Sequence, residues 1–356
     1  LLYWKMGEKN DDSLPSSSSL VVGNYCHDIL TRDGVVLAES LGGAASFISA
    51  VLDGVSAEST FVAKVGSDFA YSVTHPPIVC PSARTTLFQA IFSSQDRRIL
   101  KRLRACDAIA ADDLPAARAR FRFGLAVGVG GEILPETLEK MIEMCETVLV
   151  DVQALIRVFD PADGTVNLVP LADSGFHHLL PGIGFLKASS DEAPYIDIES
   201  VRKHCCVVVT NGEDGCTVHR ADGEQRIVPF PTVQVDPTGA GDSFLGGLVV
   251  GLSRGLSVPD AALLGNFFGS LTVSQLGLPK FDSRLLQVVM EELEKKKKKK
   301  EKRDDDDELN NVCAADHAEF YAALGRAAGG SVPSPVLQEC RWESAAEAAA
   351  PRAAEH

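Results

Sequence analysis

From residue 20 onward, short β-branched apolar runs alternate with longer stretches whose apolar residues recur at helical spacing. The runs at 20–23, 60–65, 124–129, 147–152, 184–187 and 206–210 predict strands. Segments 44–52, 135–145, 198–204, 241–254, 258–275 and 283–294 predict helices. In 135–145 a proline opens the helix, and Leu138, Met141, Ile142 and Cys145 fall on one face. Repeated β-α alternation of this kind implies an α/β fold, with a mainly parallel central sheet flanked by helices on both faces.

Two segments break the alternation. Residues 29–31 and 35–38 flank Arg32-Asp33-Gly34, and Asp-Gly is a favoured hairpin turn. Residues 84–92 and 99–103 are rich in Thr, Phe and Ile and also read as strands. Together they form either a small separate β-sheet, spanning about 29–40 and 84–104, or an extension of the main one. The ends differ in kind from the middle. Residues 1–18 finish in Pro15 and four serines and read as a flexible lead-in. From Lys295 six lysines, then four aspartates, then an Ala/Gly/Pro-rich stretch suggest a disordered tail over 295–356. The folded domain is thereby expected over 19–294.

The formal net charge of −15 argues against nucleic acid or an anionic membrane as the main partner. It leaves room for a nucleotide, which needs only a local positive field. No apolar run reaches the length of a spanning helix, and none opens the chain as a signal peptide would. Nine scattered cysteines without a Cys-x-x-Cys pair fit reduced thiols and a cytoplasmic setting. The eight histidines show no metal-ligand spacing.

One string carries chemistry: Val235-Asp236-Pro237-Thr238-Gly239-Ala240-Gly241-Asp242-Ser243-Phe244. It joins a β-branched approach to a small-residue helix, so Gly239, Ala240 and Gly241 fall at a helix N-terminus. Unpaired N–H groups and the positive end of the dipole make that an anion site. A carboxylate there, Asp242, is either a simple cap or a base that takes a proton from a hydroxyl while the amides hold a phosphoryl group. No Gly-x-x-x-x-Gly-Lys-Ser/Thr occurs, which excludes P-loop kinases.

The string resembles the C-terminal signature of the PfkB, or ribokinase-like, family of carbohydrate kinases. Further matches follow in order over about residues 20 to 290. The resemblance implies a ribokinase-like fold whose small β-sheet closes as a lid over the acceptor, with ATP as donor and Mg²⁺ as cofactor. The first strand ends in polar groups after Gly23, and Asn24 and Asp28 are expected to bind the acceptor; Asp28 corresponds to the family's hydroxyl-binding Asp, though from sequence alone a hairpin-edge Asp is as good a reading. Gly42-Gly43 resembles the substrate motif, or is a loop that needs positive φ. The family places Asn four residues after the second Gly, where this chain has Phe47. Ser189 to Glu192 is similar to the Asn-x-x-Glu element, which implies that Glu192 orients water on Mg²⁺; an ordinary first-turn acid is the alternative. Thr210, Gly212 and Gly215 resemble the nucleotide-binding loop, and Asn266 the residue bordering the adenine pocket. Asp236 corresponds to a loop that binds a monovalent cation in some relatives.

Within the family, 22–28, 42–49, 127–141 and 149–161 are similar to the plant inositol 3-kinases, which implies myo-inositol as acceptor and phytate synthesis as context. Glu132 is an extra inositol contact or a plain surface acid. Other sugar or nucleoside acceptors, and a scaffold without turnover, remain the alternatives. Oligomeric state is open.

Overall fold

In a computed structural model of the chain, residues 18–92, 98–116, 118–301 and 314–329 are described. The apolar runs pair side by side, as their double-sided burial requires. Six strands run parallel, in the order Ser59–Val62, Ser19–Val22, Phe121–Ala126, Cys145–Asp151, Phe185–Ser189 and Cys206–Thr210. An antiparallel hairpin, Cys216–Arg220 and Gly223–Ile227, extends the last of these to the sheet edge. Alternation along the first strand shows the logic. Val21 joins the core under helices Ala44–Gly54, Ala240–Ser253 and Val258–Val273, while Leu20 and Val22 join the opposite core under helix Pro135–Met144.

The small sheet is separate from the main one. Its order is Val35–Gly42, Cys26–Arg32, Thr86–Phe92, Arg98–Arg104. Asp33 and Gly34 both take positive φ at its hairpin, the geometry that matches strand twist.

Several boundaries move. The expected strand at 60–65 splits into Ser59–Val62 and Lys64–Gly66, because the Lys64 N–H leaves the sheet to donate to Asn24 Oδ1 at 2.7 Å. The second piece pairs with Ile78–Cys80. The strand expected at 124–129 is Phe121–Ala126, since the N–H groups of Val129 and Gly130 turn to the Glu132 carboxylate. The helix expected at 198–204 is α-helical only over Ile198–Val201. No helix among the described residues is long and apolar enough to cross a membrane.

The largest correction concerns the tail. The helix expected to stop at 294 runs on through the lysines as Ser283–Glu301, and a further helix follows at Ala314–Ala327. His317, Phe320, Tyr321 and Leu324 form a buried stripe at spacings of three and four on that last helix. Its alanine-rich composition and the flanking charge blocks masked this stripe in the sequence. Lysine is itself a good helix former, and Lys299 pairs with Glu319 at 2.6 Å across the two helices. The lead-in at 1–17 and the tail at 302–313 and 330–356 lie outside the described residues.

Leu324 is fully buried. Leu324→Ala should therefore cost about 3 kcal/mol in chemical unfolding, as core truncations do. A loss under about 0.5 kcal/mol, the range of surface changes, would show that the helix does not belong to the folded core.

Candidate active site

The carboxyl ends of two neighbouring parallel strands carry opposite charges. Asp151 and Lys187 are register partners, and the Lys187 Nζ lies 2.9 Å from Asp151 Oδ2 with both side chains buried. Helix Ala240–Ser253 points its N-terminus at this pair. A β-carbon at position 241 would stand 2.6 Å from the Lys187 ammonium, so the first turn rests directly on the cation. Gly239 caps the helix with φ 76° and ψ 1°, a conformation that costs other residues energy. Its Cα sits on the ring of Phe47, which is buried and would collide with any side chain there.

Asp242 stands in the first turn of the same helix. Gln153 Nε2 bridges two acids, donating to Asp151 Oδ2 at 3.2 Å and making a longer contact of 3.4 Å to Asp242 Oδ1. Glu192 closes the cluster. Its Oε2 accepts from the N–H and the hydroxyl of Ser189, each at 2.8 Å, and Arg157 approaches its Oε1 at 4.0 Å. Ser189, where the family pattern has Asn, thus does the orienting of Glu192.

Three carboxyls, one ammonium and one guanidinium share this space, and their acidities follow. Burial pushes Asp151 up to about 6 against the pull of Lys187, with Glu192 and Asp242 adding repulsion. Burial also raises Asp242, opposed by Lys187 and Arg157 and reinforced by Glu192. Glu192 goes the other way: burial is outweighed by Lys187, Arg157 and the Ser189 hydrogen bonds, so its carboxyl lies below the usual range. Lys187 is held more basic than an ordinary lysine because the three acids overcome its desolvation. Asp242 keeps part of its surface open to solvent although protein crowds its carboxyl. A partly open carboxyl of raised pKa beside an anion site suits a general base.

Of the residues expected to bind the acceptor, Asp28 is half-buried, and its carboxylate is seated on the Cα of Gly42, where a methyl group would clash. The paired glycines therefore make room for protein groups: Gly42 for Asp28, Gly43 for the Asn24 carbonyl. Asn24 corrects the sequence expectation. It is 1 % exposed; its Oδ1 accepts from the Lys64 N–H and its Nδ2 donates to Asp107 O at 3.3 Å, so its side chain is spent inside the protein. Glu132 is likewise no surface acid. It is buried, and accepts from the N–H groups of Asn24, Val129 and Gly130 at 2.9, 3.2 and 2.7 Å.

The remaining expected residues gather at the sheet edge. Thr210 Oγ1 donates to Ala188 O at 3.3 Å, and Thr210 O accepts from the Ser190 N–H at 2.9 Å, which ties this loop to Glu192. Gly212 faces open space. Gly215 lies 2.9 Å, measured from an added β-carbon, from the Pro229 nitrogen. Asn266 Nδ2 donates to Val228 O at 2.8 Å and Ile227 O at 3.3 Å, so it fixes backbone. Asp236 is buried and pins the loop, accepting from Thr238 N at 2.9 Å and Gly277 N at 3.3 Å.

Sequence reasoning overlooked Asp151, Gln153, Arg157 and Lys187. A signal existed for two of them: an acid and a lysine each sit within otherwise apolar strand runs, and buried charges need partners.

Residues 36–281 match the pfkB family carbohydrate kinase model. The chain belongs to that family. As a pfkB kinase it is a phosphotransferase with an alcohol group as acceptor. It is 56% identical over 329 residues to an inositol 3-kinase of Arabidopsis thaliana, covering 91% of each chain. An inositol 3-kinase of Zea mays is 54% identical over 79% of this chain and 78% of its own. Solved structures confirm the ribokinase fold. A pyrophosphate-dependent kinase of the ribokinase family superposes with a TM-score of 0.65 at 16% identity, over 74% of this chain and 97% of its own. A nucleoside kinase from Methanocaldococcus jannaschii gives 0.59 at 18%, over 78% and 98%.

Lys187→Met tests the electrostatic balance of the kinase. A base must be ionised to act, so turnover falls as pH drops through its pKa. Loss of the ammonium removes the charge that holds Asp242 down, and the acid limb of the rate profile should move to higher pH. Unfolding should also become easier by about 3–5 kcal/mol, because Asp151 loses its buried partner. An acid limb that stays put or moves lower in a folded variant would refute the assignment.

Proposed function

We propose that this pfkB kinase phosphorylates myo-inositol at its 3-hydroxyl with ATP as donor. The observation that carries the reading is the 56% identity spread over 91% of both this chain and the Arabidopsis thaliana inositol 3-kinase. The geometry is compatible with it at each step. Asp28, held over Gly42, accepts hydrogen bonds from ring hydroxyls of a polyol. Asp242 takes the proton of the attacking hydroxyl. The N–H groups of Gly239 and Gly241, that of Ala240, which makes only a long 3.4 Å contact to Pro237 O, and the end of the helix dipole stabilise charge on the transferring phosphoryl, and Lys187 beneath Gly241 adds a full positive charge. Phe47 presses on Gly239 and keeps that first turn from relaxing.

The nucleotide is assigned to the loop of Thr210, Gly212 and Gly215, with Asn266 fixing the backbone beside it. The four-stranded small sheet is assigned the role of a lid that excludes water from the reacting phosphoryl group. A divalent cation fits the chemistry of the donor set. Among the described residues no cluster of three metal-ligating side chains exists, and Asp151 is occupied by Lys187. Glu192 Oε1, with Arg157 4.0 Å away, still has a lone pair for a water, which suits Mg²⁺, an ion that retains its waters and binds mainly through substrate phosphates. When bound, Mg²⁺ neutralises phosphate charge. A monovalent cation near Asp236 would share its carboxylate with the N–H groups of Thr238 and Gly277, which already occupy one acceptor site on each oxygen. The setting we assign is cytoplasmic.

ADP release against a panel of myo-inositol, ribose, fructose and adenosine, with NMR of the product, tests the acceptor. We expect turnover on myo-inositol and a 3-phosphate product; activity on a sugar or nucleoside without myo-inositol would overturn the reading. Asp242→Asn should keep its circular dichroism spectrum and lose about 10²–10⁴-fold in kcat, the range for removal of a general base. Turnover within a factor of three of the native enzyme would rule out Asp242 as the base.

A further inference from the structure

The last helix among the described residues, Ala314–Ala327, lies beyond the 36–281 span of the family model, yet it is bolted to the sheet edge that carries the proposed nucleotide loop. Its attachment is polar and buried. Asp260, in the first turn of helix Val258–Val273, is 4 % exposed. Its carboxylate meets His317 Nδ1 at 2.8 Å, the Ser257 hydroxyl at 3.1 Å and the Lys296 ammonium. Burial alone would raise this acid, but His317 and Lys296 outweigh it and hold the carboxyl low. One carboxylate therefore joins three helices.

From that anchor the helix reaches over the exit of edge strand Gly223–Ile227. The Tyr321 hydroxyl donates to Pro229 O at 3.2 Å. Its ring lies on Phe230, with centroids 4.7 Å apart, and Phe230 meets Phe267 edge-on at 5.2 Å. The same stretch of backbone is gripped a second time by Asn266, at Ile227 O and Val228 O. Gly215 packs on it as well, against Ile227 O and the Pro229 nitrogen. Residues 227–230 are thus the floor on which the loop of Gly212 and Gly215 rests. That floor is held by Asn266 at Ile227 O and Val228 O and by Tyr321 at Pro229 O.

We infer that Tyr321 of the C-terminal helix is a positioning residue for the nucleotide subsite of this kinase. This rests on the assignment of Thr210, Gly212 and Gly215 as the nucleotide loop. Tyr321 touches neither reacting group; it acts by fixing Pro229 and Phe230 so that the loop above them is pre-shaped. Small displacements of a binding loop are expensive because protein interiors do not deform continuously. The acceptor groups Asp28 and Gly42 and the base Asp242 belong to other elements, so the effect is confined to the donor.

The test compares steady-state constants of the full-length chain, assayed well below its unfolding temperature. In Tyr321→Ala, KM for ATP should rise about five- to tenfold, while kcat and KM for myo-inositol stay within about twofold, the pattern of lost uniform binding. Tyr321→Phe keeps the ring and drops only the hydroxyl, and should raise KM for ATP about two- to threefold. It carries the test if the alanine variant fails to fold. Leu324→Ala lowers stability from the same helix without removing Tyr321 and should leave KM for ATP unchanged. Equal rises in both Michaelis constants, or a lowered unfolding temperature with KM for ATP unchanged, would overturn the inference. Asn266→Ala separates it from the reading beneath it. If Asn266→Ala raises KM for ATP and Tyr321→Ala does not, only the role of Tyr321 falls. If neither moves it, the nucleotide assignment falls too.

Discussion

The rest of the site depends on one buried ion pair, Asp151 with Lys187. Two charges taken out of water cost several kcal/mol each before their attraction is counted, and such a pair is a weak source of stability. Its value here is positional. Parallel pairing puts the two residues opposite each other at the strand ends, and the ammonium then fills the space under Gly241. A helix N-terminus already carries partial positive charge, so it would repel a lysine from its first turn. The surrounding acids Asp151, Glu192 and Asp242 make the approach tolerable. Desolvation, which would normally neutralise a lysine, is overcome by these acids, so Lys187 stays charged where a phosphoryl group would gain most from it.

The acids are in turn sorted by their neighbours. Glu192 has Ser189, Arg157 and Lys187 and stays ionised; Asp151 and Asp242 are pushed up by burial, with repulsion from Glu192 added to each. Of these two, Asp151 is sealed and Asp242 is partly open, the difference on which the proposal of Asp242 as base rests. Phe47 fits the same scheme. An Asn at that place would be a polar group facing the reacting centre, whereas the ring presses on Gly239 and serves as a stop behind the anion loop. The difference from the usual family pattern thereby changes how the loop is held while leaving its amides and Asp242 in place.

Much of this was legible in the chain. The run from Asp236 to Asp242 announced a helix N-terminus with an acid in it, and Asp33-Gly34 announced the hairpin of the small sheet, because turn chemistry is local. Order and spacing of β-branched runs were enough for the parallel sheet. What stayed hidden depends on distant pairing. Asp151 and Lys187 are 36 positions apart, and Gln153 meets Asp242 across 89. Asn24 looked like a ligand because a polar residue after a strand often is one; only the return of Lys64 and Asp107 to it reveals that its hydrogen bonds are used. The final helix was hidden by composition, since four large buried side chains among alanines and charges give a weak periodic signal.

That final helix gives the polypeptide an order of completion. Tyr321 closes on Pro229, made 92 residues earlier. At translation rates of about 5–20 residues per second, the partner arrives roughly 5–18 s after the segment it covers. Until then the face of Phe230 that it covers stays open in the nascent chain, next to a sheet edge that another strand could use. Chains released before residue 321 would carry a largely assembled sheet with an uncovered aromatic cluster, a surface that chaperones and proteases recognise, so full-length synthesis and a closed fold are checked by the same contact.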